Sequence, residues 1–299
     1  MTWLSDDAIS RLRDVAEWPD FAGTRYTIVR EIGRGGMGVV YEAEDVALRR
    51  SVAIKVLATE MSSARSAERM RREAQIIAGL EHPAIVPVHD VGQLPDGRIY
   101  YAMKLVRGRT LDAYAAEGHP TPELMRVFLR VCEAVAFAHA SGIVHRDLKP
   151  QNVMAGEFGS VLVMDWGLAT TSGSKDDVAG TPGFMPPEQA RSGGEAIDPT
   201  SDVYALGAIL QTMFGATPPP RRLQAVSRKA MSVERSDRYA SARELADDVV
   251  RFLDGEAMDA YRENALERLG RWMDRNRALI TVVLAYLIMR VVVFLWIRR

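Results

Sequence analysis

Near its middle the chain carries the octapeptide His145-Arg146-Asp147-Leu148-Lys149-Pro150-Gln151-Asn152. Its aspartate is followed by a lysine two residues later and by an asparagine five residues later. Asp147 can accept the proton of an attacking hydroxyl, Lys149 can neutralise a moving phosphoryl group, and Asn152 can ligate a magnesium ion. Phosphoryl transfer from ATP needs these three functions on one short loop. The rest of the sequence is therefore tested by whether it completes such a site.

Length and composition set the limits of the fold. The chain has 299 residues, 47% of them hydrophobic, and a formal net charge of −1. It can bury a sizeable core in one large or two ordinary domains. Such a charge provides no global field for nucleic acid, so we expect no nucleic-acid partner. The single cysteine, Cys132, excludes an intramolecular disulfide and suits a reducing compartment.

A glycine-rich stretch lies between two predicted strands, residues 26–29 and 39–43. It reads Gly33-Arg34-Gly35-Gly36-Met37-Gly38. Such glycines let the backbone fold closely over phosphates and offer N–H donors to them. A dinucleotide-binding fold would place the glycines at the start of a helix. Here a strand follows, and a third strand, residues 51–56, carries Lys55. We therefore reject the dinucleotide interpretation.

Glu73 lies in a segment, residues 62–80, with helical periodicity and with Ser62 or Ser63 as its N-cap. One interpretation is a solvated helix charge, because two arginines precede it. The position of this helix directly after the lysine strand instead favours an ion pair between Glu73 and Lys55. Such a pair would aim the lysine at the α- and β-phosphates of a nucleotide.

A short β-hairpin is predicted directly after the octapeptide, from apolar residues 153–154 and 161–164. An earlier pair of strands, residues 85–88 and 99–103, is predicted across a Pro-Asp-Gly turn. The later hairpin ends at Asp165-Trp166-Gly167. A hairpin of this length brings Asp165 back beside Asn152, so that two oxygen ligands can share Mg²⁺ bound to ATP.

Taken together, these motifs resemble those of the protein kinases, specifically the bacterial serine/threonine kinases of eukaryotic (Hanks) type. The likeness runs from about residue 26 to residue 255, most of the chain before the final apolar segment. The matching motifs are the glycine loop with Val40, the lysine strand (52–55), Glu73, the catalytic loop (145–152), Asp165, the end of an activation segment (180–188), a helix whose Asp202 braces the catalytic loop, and Arg238 as the partner of Glu188.

The resemblance implies a two-lobed α+β fold, a small β-rich lobe (about 25–105) and a larger helical lobe (about 106–255). It implies ATP and Mg²⁺ as cofactors and proteins with Ser or Thr as substrates, and it leaves homodimerisation open. By likeness, the residues fall into a catalytic set (Asp147, Lys149, Lys55, Glu73), a metal-binding set (Asn152, Asp165) and a nucleotide-binding set (Ile32, Gly33, Gly35, Gly38, Val40, Ala53, Lys55, Met103, Lys104, Leu105).

Four hydroxyl residues of the activation segment are candidate phosphorylation sites. Arg146 precedes the catalytic aspartate, and in the family such an arginine often pairs with a phosphorylated activation segment. A phosphate opposite an arginine orders a loop. An ordinary polar loop is the alternative, and the sequence leaves both open. The candidates are Thr170, Thr171, Ser172 and Ser174.

Three features depart from the family pattern. Trp166 stands where the family has Phe, and Pro187 stands where it has Ala. We expect both exchanges to be mild. The third is larger, since only residues 211–222 lie between Leu210 and Leu223, where the family has a loop and a substrate-docking helix. This shortening bears on protein-substrate docking rather than on phosphoryl-transfer chemistry.

An apolar segment, residues 278–297, ends the chain and follows a connector (256–277) with five arginines. As a helix it would span about 30 Å, the thickness of a bilayer core. Its 13 Leu, Ile, Val or Phe residues contribute roughly −4 to −8 kcal/mol to insertion, against about +3 kcal/mol for the central Arg290. We therefore predict a single-pass transmembrane helix. The preceding arginines favour a cytoplasmic kinase domain in the cell membrane; the alternative is an interfacial or partner-buried helix.

The sequence thus predicts a helical extension (1–24), a kinase domain (25–255), a basic juxtamembrane connector (256–277) and a transmembrane helix (278–297). The expected function is transfer of the γ-phosphate of ATP to Ser or Thr hydroxyls, with autophosphorylation. Because the sequence ends directly after the apolar segment, we expect either a tail-anchored kinase or one that has lost an extracytoplasmic sensor. The competing hypothesis is a membrane-anchored pseudokinase that serves as an ATP-binding scaffold.

Overall fold

The computed structural model of the chain describes residues 18–35, 38–58, 63–156, 159–174, 180–190 and 196–297. Most of the predicted helical extension, residues 1–17, therefore lies outside the described residues. Of the remainder, Trp18 and Phe21 pack against an apolar cluster of the sheet lobe.

A five-stranded antiparallel sheet forms the first lobe, in the order β1-β2-β3-β5-β4. The predicted strand over residues 85–88 is wrong. Ile85 makes only an isolated bridge, to Val163 in the other lobe, and the strand begins at Val88. Pro87, which has no N–H to donate, separates the two. The strands are β1 Tyr26–Gly35, β2 Gly38–Asp45, β3 Arg50–Leu57, β4 Val88–Gln93 and β5 Ile99–Lys104.

One helix, α1 (Ala64–Ala78), packs on this sheet, and Ser63 caps it by accepting a hydrogen bond from the N–H of Ser66. Its buried face is otherwise apolar and carries Glu73. A carboxylate on such a face needs a partner. This requirement directs Glu73 towards the sheet.

The second lobe is mainly helical and is built around α3 (Thr121–Ala140), whose apolar side chains lie in the larger core. Cys132 on this helix is fully buried, and burial raises the pKa of its thiol. The other elements are β6 Gly108–Thr110, α2 Leu111–Ala115, β7 Ile143–Val144, β8 Val153–Gly156, β9 Val161–Val163, β10 Thr170–Thr171, α4 Pro187–Ala190, α5 Thr200–Thr212, α6 Arg221–Ala230 and α7 Ala242–Leu253.

The shortened region after Leu210 has a direct structural counterpart. Helix α5 ends at Thr212 and α6 begins at Arg221, and the residues between them form turns and a Pro-rich link without a helix. Ser227 of α6 donates a hydrogen bond to the carbonyl of Gly207 at 2.9 Å. Helices α5 and α6 therefore pack directly on each other.

Residues beyond α7 also pack on the helical lobe. The carboxylate of Asp248, which is fully buried, accepts the N–H groups of Asp259 and Ala260 at 2.8 and 2.9 Å and the hydroxyl of Tyr239 at 2.8 Å. Met258 is buried in the same core. The lobe thus extends past Gly255, where the sequence placed its end.

Two further helices follow, α8 (Ala265–Arg275) and α9 (Arg277–Ile297). In the part of the chain that the structure describes, no helix combines the length and the apolar character needed to cross a membrane.

Candidate active site

The ammonium group of Lys55 on β3 lies between two carboxylates. Its Nζ is 2.7 Å from Oε1 of Glu73 on α1 and 3.1 Å from Oδ1 of Asp165. Burial opposes the charge, but the hydroxyl of Tyr101 and the two carboxylates hold the pKa of Lys55 well above its ordinary value. The lysine is therefore charged, and the ion pair with Glu73 that the sequence favoured is present.

Asp165 follows β9 and has a left-handed backbone, with φ of 57°. Burial raises its pKa, but Lys55 more than offsets this, so that the pKa of Asp165 lies below its ordinary value. Its side chain is 49% exposed and faces the cavity between the lobes. Asp165 is thus an ionised carboxylate that is open on one side.

Asp147 lies in a compact hydrogen-bonded group. Its carboxylate accepts Nζ of Lys149 at 2.9 Å and the hydroxyl of Thr181 at 2.6 Å, and Lys149 Nζ is also 2.8 Å from the Thr181 oxygen. The amide nitrogen of Asn152 donates to the carbonyl of Asp147 at 2.8 Å. This fixes the orientation of the amide, so Oδ1 is the atom that Asn152 can offer to a cation.

Asp202 on α5 binds the backbone of the catalytic loop. This buried carboxylate accepts the N–H groups of His145 and Arg146 at 2.8 and 2.9 Å, and Nε2 of His139 at 2.8 Å. Arg146 has φ of 70°, a left-handed conformation that costs a non-glycine residue about 1–2 kcal/mol. The two hydrogen bonds from consecutive N–H groups offset that cost. The predicted bracing role of Asp202 is confirmed.

Trp166 occupies the position of the family's phenylalanine and is 1% exposed. Its ring packs on that of His145, with centroids 4.5 Å apart. The His145 ring in turn bonds through Nε2 to the carbonyl of Met164 at 3.1 Å. The exchange to tryptophan keeps the packing contact, as expected.

The glycine loop joins β1 to β2, with Gly35 opposite Gly38; Gly36 and Met37 lie outside the described residues. A Cβ atom on Gly38 would lie 2.4 Å from the carbonyl oxygen of Val56. No side chain fits there without moving β3. Glycine at this position therefore lets β2 run close to the lysine strand.

A cavity of about 1050 Å³ lies between the two lobes, large enough for a nucleotide. On the sheet side Ala53 pairs with Met103 across β3 and β5, where the chain passes into the link between the lobes. Apart from Glu73, which is buried behind Lys55, all the predicted site residues line this cavity. They are Ile32, Gly33, Gly35, Gly38, Val40, Ala53, Lys55, Met103, Lys104, Leu105, Asp147, Lys149, Asn152 and Asp165.

The donor set fits Mg²⁺ in its usual form, bound through one or two carboxylate or amide oxygens together with substrate phosphates. Asp165 supplies an ionised carboxylate and Asn152 an amide oxygen on the same cavity. Among the described residues no cluster of three or more His, Cys, Asp or Glu side chains could hold a metal alone.

The candidate phosphorylation sites differ in accessibility. Thr170 is 2% exposed and bonds to the hydroxyl of Ser174, in a strand that pairs with β7. Thr171 and Ser172 are exposed. Of the four candidates, these two are placed where a second protein could reach them.

Sequence reasoning missed two contacts of the site. The hydroxyl of Tyr101 donates to Glu73 Oε1 at 2.8 Å, although Tyr101 had been read only as a strand residue. Nε of Arg69 donates to the carbonyl of Gly167 at 3.1 Å, which ties α1 to the segment after Asp165. The two-residue period of a strand places Tyr101 on the face opposite to that of Tyr100, but it does not show which group Tyr101 meets.

A sheet lobe and a helical lobe that enclose one cavity, with a paired lysine on one side and a braced aspartate loop on the other, define the protein kinase fold. Comparison with known proteins agrees. The family model described as "Protein kinase domain" matches residues 26–261. The chain belongs to this family.

The relatives that the chain matches include bacterial serine/threonine-protein kinases. The chain is 37% identical over 283 residues to PknB of Mycolicibacterium smegmatis, an alignment that covers 81% of this chain and 45% of the relative. It is 31% identical to PknD of Protochlamydia amoebophila, over 77% of this chain and 30% of the relative. The chain thus spans less than half the length of these relatives.

Solved structures give the same fold. The crystal structure of the Mycobacterium tuberculosis PknI kinase domain matches with a TM-score of 0.61 and 28% identity, over 77% of this chain and 96% of that one. That domain therefore corresponds, almost in full, to the larger part of this chain.

Proposed function

We propose that this protein is a serine/threonine protein kinase that transfers the γ-phosphate of ATP to hydroxyl groups of proteins, with Mg²⁺, and that it phosphorylates itself. The observation that carries the proposal is the presence of two groups of contacts at one cavity. Lys55 pairs with both Glu73 and Asp165, and Asp147 contacts Lys149 and Asn152. These six residues hold the positions that phosphoryl transfer requires.

Asp147 is the proposed acceptor of the substrate proton. A serine or threonine hydroxyl would hydrogen-bond to the carboxylate where Thr181 now donates at 2.6 Å. As the hydroxyl oxygen attacks the γ-phosphorus, its proton passes to Asp147, the new O–P bond forms, and the bond to the β–γ bridging oxygen breaks. The electron pair of that bond leaves with ADP. Lys149, charged and 2.9 Å from Asp147, offsets the negative charge of the transferring group.

Lys55 is the proposed ligand of the α- and β-phosphates. Its ion pair with Glu73 fixes the direction of the side chain, and the glycine turn between β1 and β2 offers main-chain N–H groups on the other side. Mg²⁺, held by Asn152 and Asp165, would supply positive charge to the phosphate oxygens. Positioning and electrostatic stabilisation then account for catalysis, since no covalent intermediate is needed.

Specificity for serine and threonine is supported by two residues beside Asp147. Lys149 and Thr181 bond to each other and to the aspartate, and this is the pairing that serine/threonine-specific relatives carry. Relatives of this chain are named serine/threonine-protein kinases. The shortened link between α5 and α6 removes the region where the family docks protein substrates. We therefore expect docking of substrates to use another surface.

Autophosphorylation with γ-labelled ATP and Mg²⁺, on the detergent-solubilised full chain, tests the proposal. We expect phosphate on Thr171 or Ser172 by mass spectrometry, and none in the Lys55→Met variant. Incorporation that persists in Lys55→Met would point to a contaminating kinase. Measurable ATP binding with no incorporation into the wild type would favour the scaffold hypothesis instead.

We also propose that residues 278–297 attach the kinase domain to the cell membrane in a single pass, with the domain on the cytoplasmic side. The sequence pattern supports this, and so does the exposure of apolar side chains along α9, such as Val282 at 66%, Ile288 at 63% and Trp296 at 79%. Exposed apolar surface on this scale needs a cover of lipid or protein.

Fractionation of cells that express the full chain or residues 1–277 tests the attachment. We expect the full chain to stay in the membrane pellet through an alkaline carbonate wash and the truncated chain to be soluble. Release of the full chain by carbonate would favour the interfacial or partner-buried alternative. Homodimerisation stays a prediction, which sedimentation of the solubilised chain would test.

A further inference from the structure

Tyr101 is a buried tyrosine directly behind the paired lysine. It lies on β5 opposite Lys55 of β3 in the register of the sheet, and it is 1% exposed. Its hydroxyl does not reach solvent but donates to Oε1 of Glu73 at 2.8 Å. A buried hydroxyl is costly unless it is hydrogen-bonded, and a hydrogen bond to a charged group is one of the stronger kinds.

One oxygen of Glu73 thus receives two hydrogen bonds. Oε1 accepts Nζ of Lys55 at 2.7 Å and the hydroxyl of Tyr101 at 2.8 Å, and the lysine Nζ is 5.9 Å from the centre of the tyrosine ring. Both donors come from adjacent strands of one sheet, whereas the acceptor comes from α1. The sheet therefore holds two donors at a fixed separation, and the helix must bring the carboxylate to them.

The protonation state of Tyr101 suits this role. Burial raises the pKa of its phenol well above the ordinary value, and Lys55 offsets only part of that rise. This rise favours the protonated phenol, which donates to Glu73. Because Lys55 also stays charged, the carboxylate retains both partners.

We propose that Tyr101 is a positioning residue that fixes Glu73, and through it Lys55, in the orientation needed to hold the phosphates of ATP. Tyr101 also lines the cavity, but its hydroxyl is bonded to Glu73, so that it acts by restricting the movement of α1 relative to β3 and β5. The kinetic part of this inference rests on the proposed kinase activity. The contact with Glu73 can be tested without it.

Tyr101→Phe is the direct variant, and Tyr100→Phe is a matched control. Tyr100 is the adjacent tyrosine of β5, is 6% exposed, and points to the opposite face, where it packs on Phe21 and Tyr26. Both changes remove one hydroxyl from a buried ring. A general effect of altered packing would therefore appear in both variants.

For Tyr101→Phe we expect kcat to fall about tenfold, the effect of one hydrogen bond to a charged group. We expect KM for ATP to change less than about twofold, because the nucleotide is also held by the link between the lobes and by the glycine turn. Tyr100→Phe should leave kcat within about twofold of the wild type. Equal values of kcat in Tyr101→Phe and Tyr100→Phe would overturn the proposal.

A double-mutant cycle with Glu73→Met separates this proposal from the proposed function. If Tyr101 acts through Glu73, the loss of its hydroxyl should matter much less in the Glu73→Met background, both in kcat and in the urea midpoint of unfolding. If the wild type transfers no phosphate, the proposed function fails, and the unfolding cycle alone decides the contact. Additive shifts of the midpoint would then overturn the positioning role.

Discussion

The guanidinium of Arg238 and the carboxylate of Glu188 form two parallel hydrogen bonds of 2.7 Å each, Nη1 to Oε1 and Nη2 to Oε2. Glu188 ends the activation segment, and Arg238 lies between α6 and α7, so the pair joins two parts of the helical lobe. Burial alone would raise the pKa of Glu188, but the effect of Arg238 is larger and brings that pKa below its ordinary value. The paired geometry is the strong form of an ion pair.

Arg238→Met should strongly destabilise the protein, since it leaves the Glu188 carboxylate buried without its main partner. Loss of one member of a buried pair costs about 3–5 kcal/mol. We expect the lower value, because Nε of Arg235 remains 3.3 Å from Glu188. Urea unfolding measures the change. Arg243→Met, at an exposed helix position, is the control and should shift stability by less than about 0.5 kcal/mol.

Asp202→Asn should weaken the base of the catalytic loop by about 2–3 kcal/mol at pH 7. An amide offers one oxygen where the carboxylate offers two, so at least one buried donor among His145 N–H, Arg146 N–H and His139 loses its acceptor. Unfolding measured by circular dichroism gives the difference. A stability equal to that of the wild type would contradict the bracing role.

The difference in stability between the wild type and Asp202→Asn should depend on pH, and the direction of this dependence can be stated. Burial raises the pKa of Asp202, but His139 and the loop N–H groups more than offset it, so the folded pKa lies below the ordinary 3.8. A lowered folded pKa gives stability that is present above the unfolded value and lost as the pH falls through the folded pKa. The gap between wild type and Asp202→Asn should therefore be constant from about pH 7 to 5 and narrow below about pH 4. A gap that widens on acidification would contradict the sign.

Gly38→Ala should destabilise the sheet lobe, because the added Cβ would lie 2.4 Å from the carbonyl oxygen of Val56. We expect a loss of about 1–3 kcal/mol, as for other over-packed positions, measured by thermal unfolding. Gly35→Ala is a matched control in the same loop, since its Cβ would meet only the carbonyl oxygen of Gly38, at 4.0 Å. If the control were the more damaging variant, the close approach of β2 and β3 would not be the cause.

Much of the site could be predicted because its chemistry constrains residue type at fixed spacing. An ammonium that binds phosphates needs a carboxylate partner, so Lys55 and Glu73 could be paired from sequence, and the structure places them 2.7 Å apart. Asp202 was assigned as the brace through the resemblance to the protein kinases, and the structure shows its carboxylate accepting two consecutive N–H groups of the loop.

Contacts that depend on tertiary packing could not be predicted. Nothing local to β5 shows that the hydroxyl of Tyr101 meets an oxygen of α1. The burial of Thr170 follows from the pairing of β10 with the distant β7. The strand over residues 85–88 was predicted wrongly because the local sequence does not show that Ile85 pairs with Val163 of the other lobe. Likewise, nothing local to α7 shows that Asp248 holds the segment beyond Gly255.

The most direct test of the account compares wild type and Asp147→Asn in steady-state transfer of labelled phosphate, with ATP affinity measured on the same samples. The amide keeps one oxygen for Lys149 and can turn its NH2 group to the hydroxyl oxygen of Thr181, but it cannot take a proton. We predict that kcat falls about 10²- to 10⁴-fold, the range for a general base, while ATP affinity stays within about twofold. Transfer by Asp147→Asn at the wild-type rate would contradict the assignment of Asp147 and, with it, the proposed mechanism.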